Sequence, residues 1–335
     1  MTQTIIGQEQ INYTGRFDFS SPDGPIFAWS GCSIAISFQG SEIHARLGPV
    51  SHDMDDNWVN IVIDDQEPVP LRIHRTDRYV LASGLTNEAH TVVIAKRTEA
   101  LVGELQFMGF ELPAGSELLP PPARPHRKLQ IIGDSITAGY GNEAAGIEDG
   151  FKPSQENQYW AYGSITARNL NAELHITAWS GKGMYQNYGG ERDVQMPELF
   201  LRTLPSRADS AWDLQSWIPD AVVINLGTND FSVETIDPAL YQHAYRELLG
   251  TVRSSYPNAY ILCTIGPMNL KPAPYIQELV NELRQAAGDD QLGFFAYPEQ
   301  DIEANGIGGD WHPSRKTHAS MAELLTRELR DRLSW

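Results

Sequence analysis

From residue 33 to residue 112 the chain runs in short apolar stretches separated by polar or glycine-containing turns. Ser33–Gln39 (SIAISFQ), Glu42–Leu47, Trp58–Ile63 (WVNIVI), Val69–His74, Thr91–Lys96 (TVVIAK) and Gly103–Leu112 (GELQFMGFEL) are rich in β-branched and apolar residues. Gly40-Ser41, Asp64-Asp65-Gln66 and Thr86-Asn87 punctuate them. Short strands at regular spacing, with no helical period between them, predict a β-sandwich or jelly roll. Leu119–Pro125 (LPPPARP) then places four prolines in seven residues, a composition that favours an extended, semi-rigid linker. The predicted organisation is a β-sandwich over 1–118, a linker over 119–126 and a second domain over 127–335.

The second domain has a different rhythm. Lys128–Gly133 (KLQIIG), Ala172–Trp179, Asp220–Leu226 (DAVVINL), Ala259–Gly266 and Gly293–Tyr297 read as strands. The unbroken apolar run in DAVVINL is that of a strand buried on both faces. Gln158–Asn169, Pro238–Ser255, Pro274–Ala287 and Pro313–Leu333 read as helices, the last with proline near its start. Strands alternating with helices predict a parallel sheet covered on both faces, an α/β fold. Ligands of such sheets bind at the carboxyl ends of the strands, which directs the search for chemistry.

Composition narrows the partners. Of 335 residues, 41% are hydrophobic and 20% charged, enough to bury a core and to exclude disorder as the main state. Acidic residues outnumber basic ones 43 to 25, giving a net charge of −18. That field disfavours nucleic acid and anionic membranes and is compatible with a neutral substrate. Cys32 and Cys263 are too few for a disulfide framework and read as buried free thiols. No apolar run reaches the length of a membrane span. Met1–Gln10 has neither a basic start nor an apolar stretch, so the chain as written is expected to be cytoplasmic, or secreted if a leader has been trimmed. The histidines lack metal-ligand spacing, so no metal and no cofactor are expected. No Gly-Lys-Ser/Thr follows Gly139 and Gly141, which excludes a phosphate-binding loop, and there is no Gly-x-Ser-x-Gly elbow.

Three strand ends carry reactive residue types. KLQIIG runs into Gly133-Asp134-Ser135, the 172–179 strand into Ser180-Gly181-Lys182-Gly183, and DAVVINL into Gly227-Thr228-Asn229-Asp230. A further loop, Gly308-Gly309-Asp310-Trp311-His312-Pro313, opens the last helix. Ser135 follows a buried strand and a glycine, on a turn that can expose its hydroxyl. A serine needs a base to take its proton, and His312 is the candidate. Asp310 is placed to hold the imidazole tautomer. The N–H of Ser135, the N–H of Gly181 and the amide of Asn229 are candidate donors to an oxyanion. Each motif alone has a plainer reading, since Gly-Asp-Ser suits a helix cap, Gly-Thr-Asn-Asp a helix start, and His-Pro a helix N-terminus. Their joint occurrence, in this order at the rim of one sheet, favours catalysis. Asp134 and Asp230 read as loop supports.

Gly133-Asp134-Ser135, Gly181, Gly227-Thr228-Asn229-Asp230 and Asp310-Trp311-His312 resemble the four blocks of the SGNH hydrolases, also called the GDSL family. The longer strings GDSITAGYGN, SGKGMYQNYG, NLGTNDF and DWHPS are similar to the family-2 carbohydrate esterases. The resemblance implies a flavodoxin-like three-layer α/β/α hydrolase domain behind an N-terminal jelly roll. It implies an acyl-serine mechanism with Ser135, Gly181, Asn229 and His312 in the roles given above, and removal of acetyl groups from plant polysaccharides. In that family the aspartate usually stands three residues before the histidine, where this chain has Gly309. Either Asp310 reaches the imidazole from one residue closer, or a backbone carbonyl orients His312 and the site is a dyad. Both Gly181 and Gly183 could supply the oxyanion N–H; Gly181, directly after the strand, is preferred.

The stretch Met184–Pro219 is a long insertion holding Tyr185, Tyr188, Trp212 and Trp217. Aromatic faces suit the C–H patches of sugar rings, although each ring alone could simply pack its loop. Tyr188 and Trp212, then Tyr185, and Trp311 beside His312, are the expected substrate contacts. The expected function is therefore a serine esterase acting on acetylated oligo- or polysaccharide. The alternatives are a lipase or thioesterase of the same superfamily, or a silent carbohydrate-binding protein.

Overall fold

The computed structural model describes residues 3–5, 9–50, 56–234 and 236–335. Part of the N-terminal stretch Met1–Gln10, residues 1, 2 and 6–8, lies outside the described residues. The chain divides into two compact units. One comprises Met1–Arg124 with Thr203–Ser210, the other Pro125–Arg202 with Ala211–Trp335. Residues 203–210, expected in the second domain, thus go with the first. There the Glu104 carboxylate accepts from the Ser206 hydroxyl and the Arg207 guanidinium.

Strands of the first unit are β1 (Gln3–Ile5), β2 (Asn12–Thr14), β3 (Ile26–Phe27), β4 (Ser33–Gln39), β5 (Glu42–Pro49) and β6 (Asn57–Ile63). They continue with β7 (Val69–Ile73), β8 (Asp77–Ser83), β9 (Ala89–Lys96), β10 (Leu105–Leu112) and β11 (Glu117–Leu118). One antiparallel sheet is ordered β1-β10-β5-β8, with β3 also on β10; the other is β11-β4-β9-β6-β7, with β2 also on β4. The orders β3-β10-β5-β8 and β4-β9-β6-β7 are those of a jelly roll. In β4 alternate side chains, Ile34, Ile36 and Phe38, are buried, as one-sided packing requires. Tyr13 of β2 meets Phe107 of β10 edge-on at 6.1 Å, from sheet to sheet. Strand β8 did not show in the sequence pattern, because Asp77–Ser83 exposes most of its polar alternation and buries only Leu81.

The second unit contains β12 (Arg127–Gly133), α1 (Ser135–Ala138), α2 (Tyr162–Leu170), β13 (Ala172–Ala178), α3 (Met196–Leu199), β14 (Ala221–Asn225) and α4 (Pro238–Ser255). It ends with β15 (Tyr260–Ile265), α5 (Ala273–Ala287), β16 (Leu292–Ala296), α6 (Ile302–Asn305) and α7 (Arg315–Leu333). Its strands are parallel in the order β13-β12-β14-β15-β16, the flavodoxin-like arrangement. The chain leaves β12 toward β13 and later returns on the other side with β14, so the topological switch lies at β12. Every residue of β14 is buried, which explains its unbroken apolar sequence. Leu129, Ile131, Tyr162, Ile176, Val223, Leu325 and Leu329 share the core that joins α2 and α7 to one face of the sheet. Burial of each large apolar side chain contributes about 1.5–3 kcal/mol. Helix α7 begins at a Ser314 cap, whose Oγ accepts from Thr317 N–H at 3.3 Å and donates to the Asn305 carbonyl at 2.7 Å. No helix among the described residues is long and apolar enough to cross a membrane.

Candidate active site

Strand β12 delivers Ser135 through a turn built on two neighbours. A Cβ at Gly133 would lie 2.6 Å from Thr137 Cβ, so only glycine lets the next turn fold back over the strand end. Asp134 caps α1, its Oδ1 accepting from Ile136 N–H at 3.0 Å. Ser135 is thereby the first residue of a short helix, 6% exposed, with its hydroxyl at the sheet rim. His312 reaches it from the loop that precedes the α7 cap, and Nε2 lies 2.8 Å from Ser135 Oγ across 177 residues of sequence.

The other ring nitrogen of His312 does not meet the Asp310 carboxylate. Nδ1 lies 3.1 Å from both the Gly309 and the Asp310 carbonyl oxygens. The Asp310 carboxylate instead accepts from the Tyr140 hydroxyl at 2.6 Å. The expectation that the Asp310 side chain orients the imidazole is corrected: backbone carbonyls do so. The reason lies in the loop. Asp310 (φ 47°) and Trp311 (φ 66°) both occupy the left-handed region, and this turn brings the Gly309 and Asp310 carbonyls to Nδ1, while the Trp311 carbonyl accepts from Gln300 Nε2 at 2.9 Å. That conformation costs about 1–2 kcal/mol for each non-glycine residue. Two carbonyls at Nδ1 hold the proton there, leaving Nε2 as an acceptor facing Ser135. Burial pulls the His312 pKa down to about 4, outweighing the two carbonyls and the nearby Asp310 charge, which favour the protonated form.

Oxyanion donors lie around the same point. Gly181, with φ 78° after β13, adopts a conformation that suits glycine, and its N–H has no hydrogen-bond partner among the described residues. The Gly183 N–H is instead donated to Asn187 Oδ1 at 3.1 Å, which separates the two glycines. Asn229, 6% exposed, directs Nδ2 to the Lys182 carbonyl at 2.9 Å and more loosely to Asp134 Oδ2 at 3.3 Å. Asp230 holds the loop that carries these groups. Its carboxylate accepts from the N–H groups of Met184, Tyr185 and Gln186 at 2.7–3.0 Å. Burial raises its pKa, and the three N–H groups oppose that rise.

Ser135, His312, Gly181 and Asn229 line one cleft of about 610 Å³, together with Asp310, Tyr188 and Trp311. Tyr188 is 69% and Trp311 57% exposed, so both present ring surface to solvent beside the Ser–His pair. Tyr185 and Trp212 do not line this cleft. The Tyr185 ring is covered by the Arg192 guanidinium at 3.9 Å. Trp212 packs edge-on to His175 of β13 at 6.0 Å, and Trp217 stacks on the same imidazole at 3.7 Å. Trp212 and Trp217 thus pack on β13 rather than at the strand ends. Lining residues that sequence reasoning passed over are Tyr140, Ser180, Thr228, Ser232, Met268 and Asn269. Met268 and Asn269 follow β15, and the strand-end rule applied to that fourth strand would have found them. Among the described residues, no group of three or more His, Cys, Asp or Glu side chains is arranged to hold a metal ion.

Comparison with known proteins identifies the family. Residues 13–122 match the model for the carbohydrate esterase 2 N-terminal domain, and residues 131–319 match the GDSL-like lipase/acylhydrolase family. The chain is 42% identical over 331 residues to the cellulase/esterase CelE of Acetivibrio thermocellus, covering 97% of this chain but 40% of that protein. It superposes with a TM-score of 0.92 on a family two carbohydrate esterase from Clostridium thermocellum solved in complex with cellohexaose, at 42% identity and with 97% and 99% of the two chains covered. An acetylxylan esterase/glucomannan deacetylase of Cellvibrio japonicus is 27% identical over 343 residues, spanning 100% of this chain and 92% of that one. A GDSL-like hydrolase unit joined to a carbohydrate esterase 2 N-terminal unit places this chain in the family 2 carbohydrate esterases.

Proposed function

We propose that the chain is a serine esterase that removes acetyl groups from neutral plant-type glycans. The observation that carries this reading is the 2.8 Å contact between Ser135 Oγ and His312 Nε2, in a cleft that also holds the unengaged Gly181 N–H. Ser135 Oγ attacks the acetyl carbonyl carbon as its proton passes to Nε2. The carbonyl π electrons move onto oxygen, where the N–H groups of Ser135 and Gly181 receive the charge. The Asn229 amide joins them by giving up its long bond to Asp134. One such donor accounts for about 2.7–4 kcal/mol of barrier. Collapse of the tetrahedral centre breaks the C–O bond to the sugar, and His312 returns the proton to the departing sugar oxygen, which leaves as a hydroxyl. Water then repeats the sequence on the acetyl-serine, releasing acetate. His312, with its pKa held near 4, is neutral and ready to act as base at neutral pH.

Two features support an acetylated sugar. Exposed Tyr188 and Trp311 offer ring faces beside the reacting pair. Among the described lining residues, Met268 is the single long aliphatic side chain, which favours a short acyl group over a fatty chain. The names of the Cellvibrio japonicus relative, acetylxylan esterase/glucomannan deacetylase, support the same class. Acetate release from acetylated xylan is expected for wild type and is expected to vanish in Ser135→Ala. Equal rates would remove the proposal, and aryl-ester activity rising with acyl chain length would favour the lipase alternative.

A further inference from the structure

The Asp310 carboxylate is turned away from the imidazole that it stands beside in sequence, and it is bonded to Tyr140. The Tyr140 ring stacks on His312 with centroids 4.1 Å apart and planes 30° apart. Phe151 packs on Tyr140 in turn, at 4.8 Å and 30°. The Tyr140 hydroxyl donates to Asp310 Oδ2 at 2.6 Å, a short, charge-assisted bond between residues 170 apart in sequence. The same short segment holds the loop a second time, since Gly309 N–H donates to the Gly141 carbonyl at 3.0 Å. The left-handed Asp310 carries the second anchor and the left-handed Trp311 follows it, a conformation that an unrestrained aspartate and tryptophan would leave. The carbonyls that meet Nδ1 are those of Gly309 and Asp310, the residues so held.

We propose that Tyr140 and Asp310 are positioning residues that together clamp His312. The hydroxyl–carboxylate bond locks the 309–311 backbone with the Gly309 and Asp310 carbonyls on Nδ1, and the phenol ring sets the plane of the imidazole. Asp310 thus does through the backbone what the aspartate of a triad does through its side chain. Tyr140 supplies the second half of that function from the loop after the nucleophile helix. The inference rests on the reading of Ser135 and His312 as the reacting pair.

A conservative series separates this from a direct electrostatic role for Asp310. Asparagine keeps an oxygen acceptor for the Tyr140 hydroxyl and tolerates left-handed φ, but it carries no charge. Tyr140→Phe keeps the stacking ring and loses the donor. Under the clamp, Tyr140→Phe and Asp310→Ala each lower kcat about tenfold or more with KM little changed, as loss of a charge-assisted bond predicts. Their double variant is no worse than either alone, and Asp310→Asn recovers most of the loss of Asp310→Ala. The His312 imidazole, followed by NMR, titrates in Tyr140→Phe at a higher pH than in wild type, because a loosened loop admits water to the ring. If Asp310→Asn is as impaired as Asp310→Ala while Tyr140→Phe matches wild type, the carboxylate acts on the imidazole directly and the clamp is overturned. An unchanged His312 titration in Tyr140→Phe overturns it equally. A wild type that releases no acetate would remove the proposed function, while the NMR titration would still decide the clamp.

Discussion

His312 is a base whose strength is set by where it sits. Taking the ring out of water disfavours imidazolium, and the Gly309 and Asp310 carbonyls recover only part of that loss. Its pKa is therefore lowered from 6.5 to about 4. The catalytically useful neutral ring persists as pH falls, until it is protonated near that value. The acid limb of kcat/KM is accordingly expected near pH 4, measured on a soluble acetyl ester across pH 3.5–8 (a range that reaches about three units below an ordinary histidine). A limb near the ordinary value of 6.5 would show that the ring is solvated in the free enzyme. The serine, the histidine, Gly181 and Asn229 were each legible as residues, because each belongs to a short motif at a strand end. Tyr140 was not. It stands inside the string GDSITAGYGN, yet its stacking partner and its hydrogen-bond partner both lie in the loop before α7. Nothing local to residue 140 encodes those contacts.

At the scale of elements, the cleft depends on loops held from below. Asp230 follows β14 and ties the turn at 184–186, which lies between Gly181 and Tyr188. Asp230→Ala would leave three N–H groups without their acceptor, at about 1–3 kcal/mol each when they stay buried. Thermal unfolding should show a marked fall in Tm for this variant. Activity measured well below the new Tm should fall as well, because Gly181 and Tyr188 ride on the freed loop. A variant with wild-type Tm would mean that the turn is held by other contacts. The parallel strands and long helices were readable from apolar runs and from proline at helix starts; α4 spans Pro238–Ser255 as the sequence predicts. Helix α2 begins later than its pattern, at Tyr162, because Gln158–Trp160 forms a separate turn of 3-10 helix. Trp212 and Tyr185 could not be placed by pattern, because an irregular insertion has no period from which to read a facing side.

At the scale of the whole molecule, the two depressed histidines link stability to pH. His318 lies fully buried on α7, its Nδ1 accepting from Tyr162 N–H at 3.2 Å, and burial lowers its pKa to about 3. The unfolded chain protonates both histidines near 6.5, while the folded chain leaves them neutral until much lower pH. The unfolded state thus binds more protons between pH 6.5 and about 4. Stability from these sites is present above 6.5 and is lost as pH falls through that window, at about 1.4 kcal/mol per pH unit for each site. Urea unfolding of wild type and His318→Gln over this window should give a steeper acid loss for wild type. Parallel curves would mean that His318 is not neutral in the folded state. Comparing the two proteins cancels the opposite contribution of the −18 net charge, whose self-repulsion eases as carboxylates protonate.

Local chemistry in the sequence determined the two kinds of secondary structure, the change between them near the proline-rich stretch, and the motifs from which the serine, the histidine and the oxyanion donors come. These follow from neighbouring residues alone: period, glycine, proline and strand-end placement act within a few positions. Tertiary structure alone decided that residues 203–210 go with the first unit, that Trp212 packs on β13, and that carbonyls rather than a carboxylate hold His312. Each of those outcomes depends on which distant surfaces meet and on which strained conformations their meeting can hold. That information lies in the packing of the whole chain rather than in any one stretch of it.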